Sequence, residues 1–148
     1  MDWSTSFGLA AAEVLLSLAA LGLLIVAAFA RGEGTARAVT WLAIAALAVS
    51  AVLVAPSLCA GLGGSETLAF SGLFAADALA AFAKLLIFAS AGAAMLVSPA
   101  WFGRLGAYRA EYPVLVLLAV LGMCLMVSAT NLLTLYLGLE LSSLSAYV

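Results

Sequence analysis

The 148-residue sequence predicts an all-α, polytopic integral membrane protein. Three observations carry that reading. The chain is 68% hydrophobic and 8% charged, where a soluble domain carries about 25% charged residues. Its mean hydropathy is +1.30. Its apolar residues gather into five long runs, roughly 8–30, 38–55, 74–97, 113–130 and 132–148. At about 20 residues per transmembrane helix, this length accommodates five spans with short connections and no separate soluble domain. Disordered and nucleic-acid-binding proteins need charge that is lacking here. A net charge of −2 without histidine leaves no basic face for nucleic acid and no histidine-based metal site or proton relay.

Helices are expected because the runs are far longer than membrane strands and lack their apolar–polar alternation. The first run follows Met1-Asp2-Trp3, which has no positive n-region of a cleaved signal, so it is read as a retained span. Arg31-Gly-Glu-Gly-Thr-Ala-Arg37 makes a polar turn to the second run. The next connection, Pro56 to Leu73, holds four glycines and Ser65-Glu66-Thr67, and Ser71-Gly72 is read as the start signal of the third run. Ser98-Pro99 opens the third connection, and Pro113 suits the first turn of the fourth helix. Ser128-Ala-Thr-Asn131 is short enough to make the last two helices antiparallel neighbours. Gly22, Gly92 and Gly122 permit close helix contacts. Cys59 and Cys124 fit neither a disulfide framework nor a zinc site and are read as unpaired.

Eight of the twelve charged residues lie outside the runs: Asp2, Arg31, Glu33, Arg37, Glu66, Arg104, Arg109 and Glu111. The loop arginines fall on one side under a single topology, which places the N-terminus outside (periplasmic) and the first and third connections in the cytoplasm. Trp41 and Trp101 then lie at the inner interface and Trp3 at the outer one. The fifth run has 17 residues and ends on Ala146-Tyr147-Val148 without a polar stop, so the fifth helix is expected to be truncated and residues 1–148 to be one transmembrane segment of a longer protein.

Glu13, Asp77, Lys84 and Glu140 lie inside the runs. A charge at mid-bilayer costs about 2.5–3.5 kcal/mol on insertion scales, so each needs a reason. Glu13 is expected near the outer interface, within reach of headgroup water and close to the positive end of the helix dipole. Asp77 is placed in the first turn of the third helix. Lys84, ten residues into that run, is expected about 15 Å from its outer end and directed into the protein interior. Asp77 shares its face but lies about 10 Å away along the axis. Glu140 is about 12 Å deep in the fifth helix, with Tyr136 and Ser143 on its face as hydrogen-bond partners. Lys84 and Glu140 are then at nearly equal depth, and both are assigned to a proton relay. Glu13, Asp77, Tyr136 and Ser143 are accessory candidates.

The stretch Glu111-Tyr-Pro-Val-Leu-Val-Leu-Leu, followed by Gly122-Met123 and Leu135-Tyr-Leu-Gly-Leu-Glu140-Leu-Ser-Ser-Leu, resembles the N-terminal part of the subunit N family of bacterial proton-translocating NADH:quinone oxidoreductase (respiratory complex I). The Asp77 to Lys84 spacing after Phe70-Ser-Gly-Leu-Phe also resembles this antiporter-like family. The resemblance implies a multi-pass protein of the bacterial inner (plasma) membrane, partnered by other membrane-arm subunits, in which Glu140 matches an essential fifth-helix glutamate. It also implies that NADH, FMN, iron–sulfur clusters and quinone belong to other subunits. Later helices and their mid-membrane lysines are not in the chain, so pumping by the chain alone is not expected. Two alternatives stand beside proton translocation: a structural scaffold segment, or part of an unrelated secondary transporter.

Overall fold

A computed structural model describes residues 8–29, 33–61, 67–69, 74–105 and 109–147. Asp2, Trp3, Arg31, Glu66, Ser71 and Gly72, to which the sequence reading gave loop or interface places, lie outside the described residues. The main elements are α1 (Ala11–Phe29), α2 (Glu33–Gly61), β1 (Thr67–Ala69), β2 (Phe74–Ala76), α3 (Ala78–Leu105), α4 (Glu111–Val127) and α5 (Leu132–Tyr147). The protein is polytopic. Three helices are long and apolar enough to cross a membrane, over Ala11–Phe29, Gly34–Cys59 and Ala78–Gly103, and α4 is a shorter apolar helix.

Two helices outrun their apolar stretches. The sequence reading stopped the second at 55 and the third at 97, ahead of Pro56 and Pro99, but α2 and α3 pass through both prolines. A proline inside a helix frees the carbonyl four residues earlier, and neighbouring hydroxyls can re-satisfy such groups in a membrane. Pro99 frees the Met95 carbonyl, which accepts a hydrogen bond from Ser98 Oγ at 3.1 Å. Near Pro56, Ser57 Oγ donates to the Val54 carbonyl at 2.6 Å. At 1.5 Å per residue α2 and α3 are each a little over 40 Å long, more than the roughly 30 Å hydrocarbon core.

The connection between α2 and α3 departs from the all-α expectation. It contains a two-stranded antiparallel pair, Thr67–Ala69 with Phe74–Ala76, in the register Leu68 to Ala75. An isolated pair of this size is marginal, and here β2 is held from below. Ala75 N donates to Ser128 O at 2.9 Å, and Phe74 forms a bridge with Ala129.

α1, α2, α3 and α4 form a ring in which each packs against the next and α4 closes back onto α1. α2 and α4 also touch across the ring, whereas α1 and α3 have no comparable backbone contact. Leu16, Leu23, Val39, Leu47, Phe88, Met95, Leu117 and Val120 fill the shared core. Outward-facing Leu18, Ile25, Val52, Phe82, Leu86 and Val97 are exposed, the surface expected where the solvent is lipid. α5 stands outside the ring and packs on α4.

That last contact depends on glycine. A Cβ on Gly122 would lie 2.6 Å from both Gly138 O and Ser142 N, and one on Gly138 would lie 2.8 Å from Gly122 O. Both obstacles are backbone, so neither can swing aside. Gly22 and Gly92, read from sequence as contact residues in the same way, have open space instead. Gly122→Ala is therefore expected to destabilise the α4–α5 pair by about 1–3 kcal/mol, the usual cost of overpacking. Gly22→Ala is not. Thermal unfolding of the full-length protein in detergent checks the contrast.

Candidate functional site

Glu13 lies in the first turn of α1, one position after Ala12, whose side chain is part of the core, and its side chain turns inward. It is not the headgroup-facing carboxylate that its sequence position implied: its side chain is 7% exposed, and its Oε1 lies 2.6 Å from Lys84 Nζ. The Lys84 side chain is 5% exposed. The pair thus spans the diagonal of the helix ring where the backbones of α1 and α3 stand apart. The Phe74 ring covers it, with its centroid 4.6 Å from Nζ. Phe74 is buried beside Ala10, with Leu9 and Ala76 packed against them. Cys124 of α4, buried and free, lies within electrostatic range of both charges.

Isolated charges are too costly to bury, so each partner makes the other tolerable. The desolvated ammonium gains a further contribution of about 2 kcal/mol from the aromatic face. The site is polar beyond the pair itself. Glu13 Oε2 and Ser128 Oγ are buried and lack a hydrogen-bond partner among the described residues.

The depth assigned to Lys84 also changes. α3 starts at Ala78, so Lys84 is six residues in, about 9 Å from the helix start rather than 15 Å. Asp77 lies outside the helix as its N-cap. Its Oδ1 accepts from Ala80 N at 2.7 Å, which satisfies a donor at the helix start.

Glu140 is elsewhere. It lies about 12 Å along α5, which packs on α4 and not on α3, so α4 separates it from Lys84. Equal depth therefore did not bring the two together. Tyr136, one helical turn before Glu140 and exposed, lies within electrostatic reach of its carboxylate. Ser143 Oγ instead donates to the Glu140 backbone carbonyl at 3.1 Å and does not serve the carboxylate. α5 begins with Asn131 Oδ1 accepting from Thr134 N at 2.8 Å. Glu13 and Lys84 lie toward the end of the protein marked by the β1–β2 pair, Glu140 lies midway along α5, and Arg37 and Arg109 lie toward the opposite end.

Phe74 is the residue that sequence reasoning missed. Its signal was the short Leu73-Phe74-Ala-Ala stretch after a glycine-rich segment, too brief to mark a strand. The Glu13 pairing had a better signal, because a buried lysine requires a carboxylate and Glu13 was one of three on offer.

Across its full length the chain is 51% identical to a protein of Erythrobacter litoralis and 53% identical to one of Rhizorhabdus wittichii, covering 30% of each. Both are subunit N of NADH-quinone oxidoreductase. The chain resembles that subunit. A third subunit N, from Rhodobacter capsulatus, is 42% identical over 96% of the chain and 28% of its own length. The chain therefore spans about 30% of the length of these subunit N relatives. No family model matches it.

Breaking the pair singly leaves a buried charge unpaired, which costs about 3–5 kcal/mol. Glu13→Gln and Lys84→Met are each expected to lower the melting temperature of the full-length protein in detergent. The double variant Glu13→Leu/Lys84→Met is expected to recover most of the loss, and a double-mutant cycle on the melting curves measures the coupling.

Proposed function

We propose that the chain forms part of a membrane-arm subunit of NADH:quinone oxidoreductase and contributes to proton translocation through buried ionisable residues, with Glu140 and Lys84 as relay groups. The observation that carries this reading is the 51–53% identity to subunit N relatives along the whole chain. Ionisable groups inside apolar helices add support, since they mark ion and proton pathways in membrane proteins. The host membrane is the bacterial inner membrane and the partners are other membrane-arm subunits. Nicotinamide, flavin, iron–sulfur clusters and quinone belong, in this reading, to other subunits of the complex.

A structural scaffold, in which the buried charges only fix helix packing, is the second reading, favoured by the 2.6 Å pairing of Lys84 with Glu13. Glu140→Gln in the full-length assembled complex separates the two classes. Proton transfer through Glu140 predicts that NADH-driven proton uptake into vesicles falls by at least about tenfold per assembled complex. A purely structural Glu140 predicts altered assembly or melting with unchanged uptake per complex.

The arginine end is assigned to the cytoplasm and the β1–β2 end to the periplasm by the positive-inside rule. Cys59, exposed near the end of α2, reports on this directly. A membrane-impermeant maleimide applied to outward-facing membranes is expected to label Cys59 and to leave buried Cys124 unmodified.

A further inference from the structure

The Glu13–Lys84 pair and Glu140 are separated by α4, yet one short segment touches both the pair and the turn that starts the helix of Glu140. Phe74 places its ring 4.6 Å from Lys84 Nζ while its main chain bridges to Ala129. The next residue, Ala75, donates to Ser128 O at 2.9 Å. Ser128 and Ala129 form the turn that leads to Asn131, the cap of α5. Glu140 follows on that helix. α5 packs closely on α4 along the Gly122–Gly138 contact, the most extensive pairing among the described elements, and presents Leu133, Leu137 and Leu144 outward. The bonds to Ser128 and Ala129 act on the turn from which α5 starts, and so bear on its position along α4.

We infer that Phe74 is a positioning residue that links the charge on Lys84 to the placement of α5 and hence of Glu140. The inference rests on the reading in which Glu140 exchanges protons. An ammonium attracts the face of an aromatic ring, and the attraction disappears when the charge or the ring is removed. The groups that face Lys84 are Glu13 from α1 and Cys124 from α4, with the Phe74 ring contributed by β2. α2 carries exposed Cys59 toward this end. β2 has only three residues and little stability of its own, so the grip on its ring is passed on to the turn to which it is bonded.

The test uses the full-length complex in membrane vesicles and the infrared band of the Glu140 carboxyl group, assigned by its loss in Glu140→Gln. In Phe74→Leu, which keeps bulk but removes the π face, the band moves and NADH-driven proton uptake falls about threefold to tenfold. In Phe74→Trp, which restores the face, the band returns and uptake stays within about twofold of the parent protein. Lys84→Met moves the band as Phe74→Leu does, and adding Phe74→Leu to it moves the band no further. The inference is overturned if the band stays in place in Phe74→Leu, if Phe74→Trp behaves like Phe74→Leu, or if the Lys84 and Phe74 effects add. Should Phe74→Leu fail to accumulate, Lys84→Met decides by the same band, moved for and unmoved against. Undiminished proton uptake in Glu140→Gln counts against proton exchange at Glu140 alone, because the band position still reports whether Phe74 holds α5.

Discussion

The rest of the structure depends on the ion pair between Glu13 and Lys84. In a ring of four helices with one short diagonal, the other pair of helices must stand apart, and the gap needs filling. Here the filling at one end is a carboxylate from α1 and an ammonium from α3, 2.6 Å apart. Neither charge is tolerable alone in an apolar interior, so the two helices that carry them are bound to one arrangement. The remaining core is mostly alanine, leucine and valine, which would pack almost as well in a neighbouring register. A buried charge pair is more selective, since any shift of a helical turn leaves it unmatched. Phe74 then closes the pair from the side of the short strands.

α5 is held by different physics. In a lipid environment there is no hydrophobic driving force between helices, so close packing and polar contacts decide association. Gly122 and Gly138 let the two backbones approach until each would block a Cβ on the other. The same dependence on internal satisfaction explains how α2 and α3 survive their prolines. The freed Met95 carbonyl finds the Ser98 hydroxyl, and the helix continues to Leu105. Proline ends a helix in water mainly when nothing replaces the lost bond.

Much of this was legible beforehand. Twelve charges, eight of them outside the apolar runs, located the helices and the polar connections. The Ser128–Asn131 turn and Pro113 in the first turn of α4 were readable from local chemistry alone. Other features were not. The ends of α2 and α3 were misplaced because hydropathy reports the lipid-facing stretch while hydrogen bonding sets the helix. Lys84 was counted from the start of an apolar run that includes β2, which put it too deep. Gly22, Gly92 and Gly122 look alike in sequence, and only the last meets another backbone.

By itself the sequence determined that the chain belongs in a membrane, that it is helical, and that Glu13, Asp77, Lys84 and Glu140 require explanation. Those conclusions follow from transfer free energies, which are properties of residues and their neighbours along the chain. The tertiary structure decided which carboxylate answers Lys84. Glu13 does, Asp77 caps its helix, and Glu140 lies on α5, away from both. Pairing across helices depends on which of them face one another around the ring, and helical spacing within a single run carries no information about that.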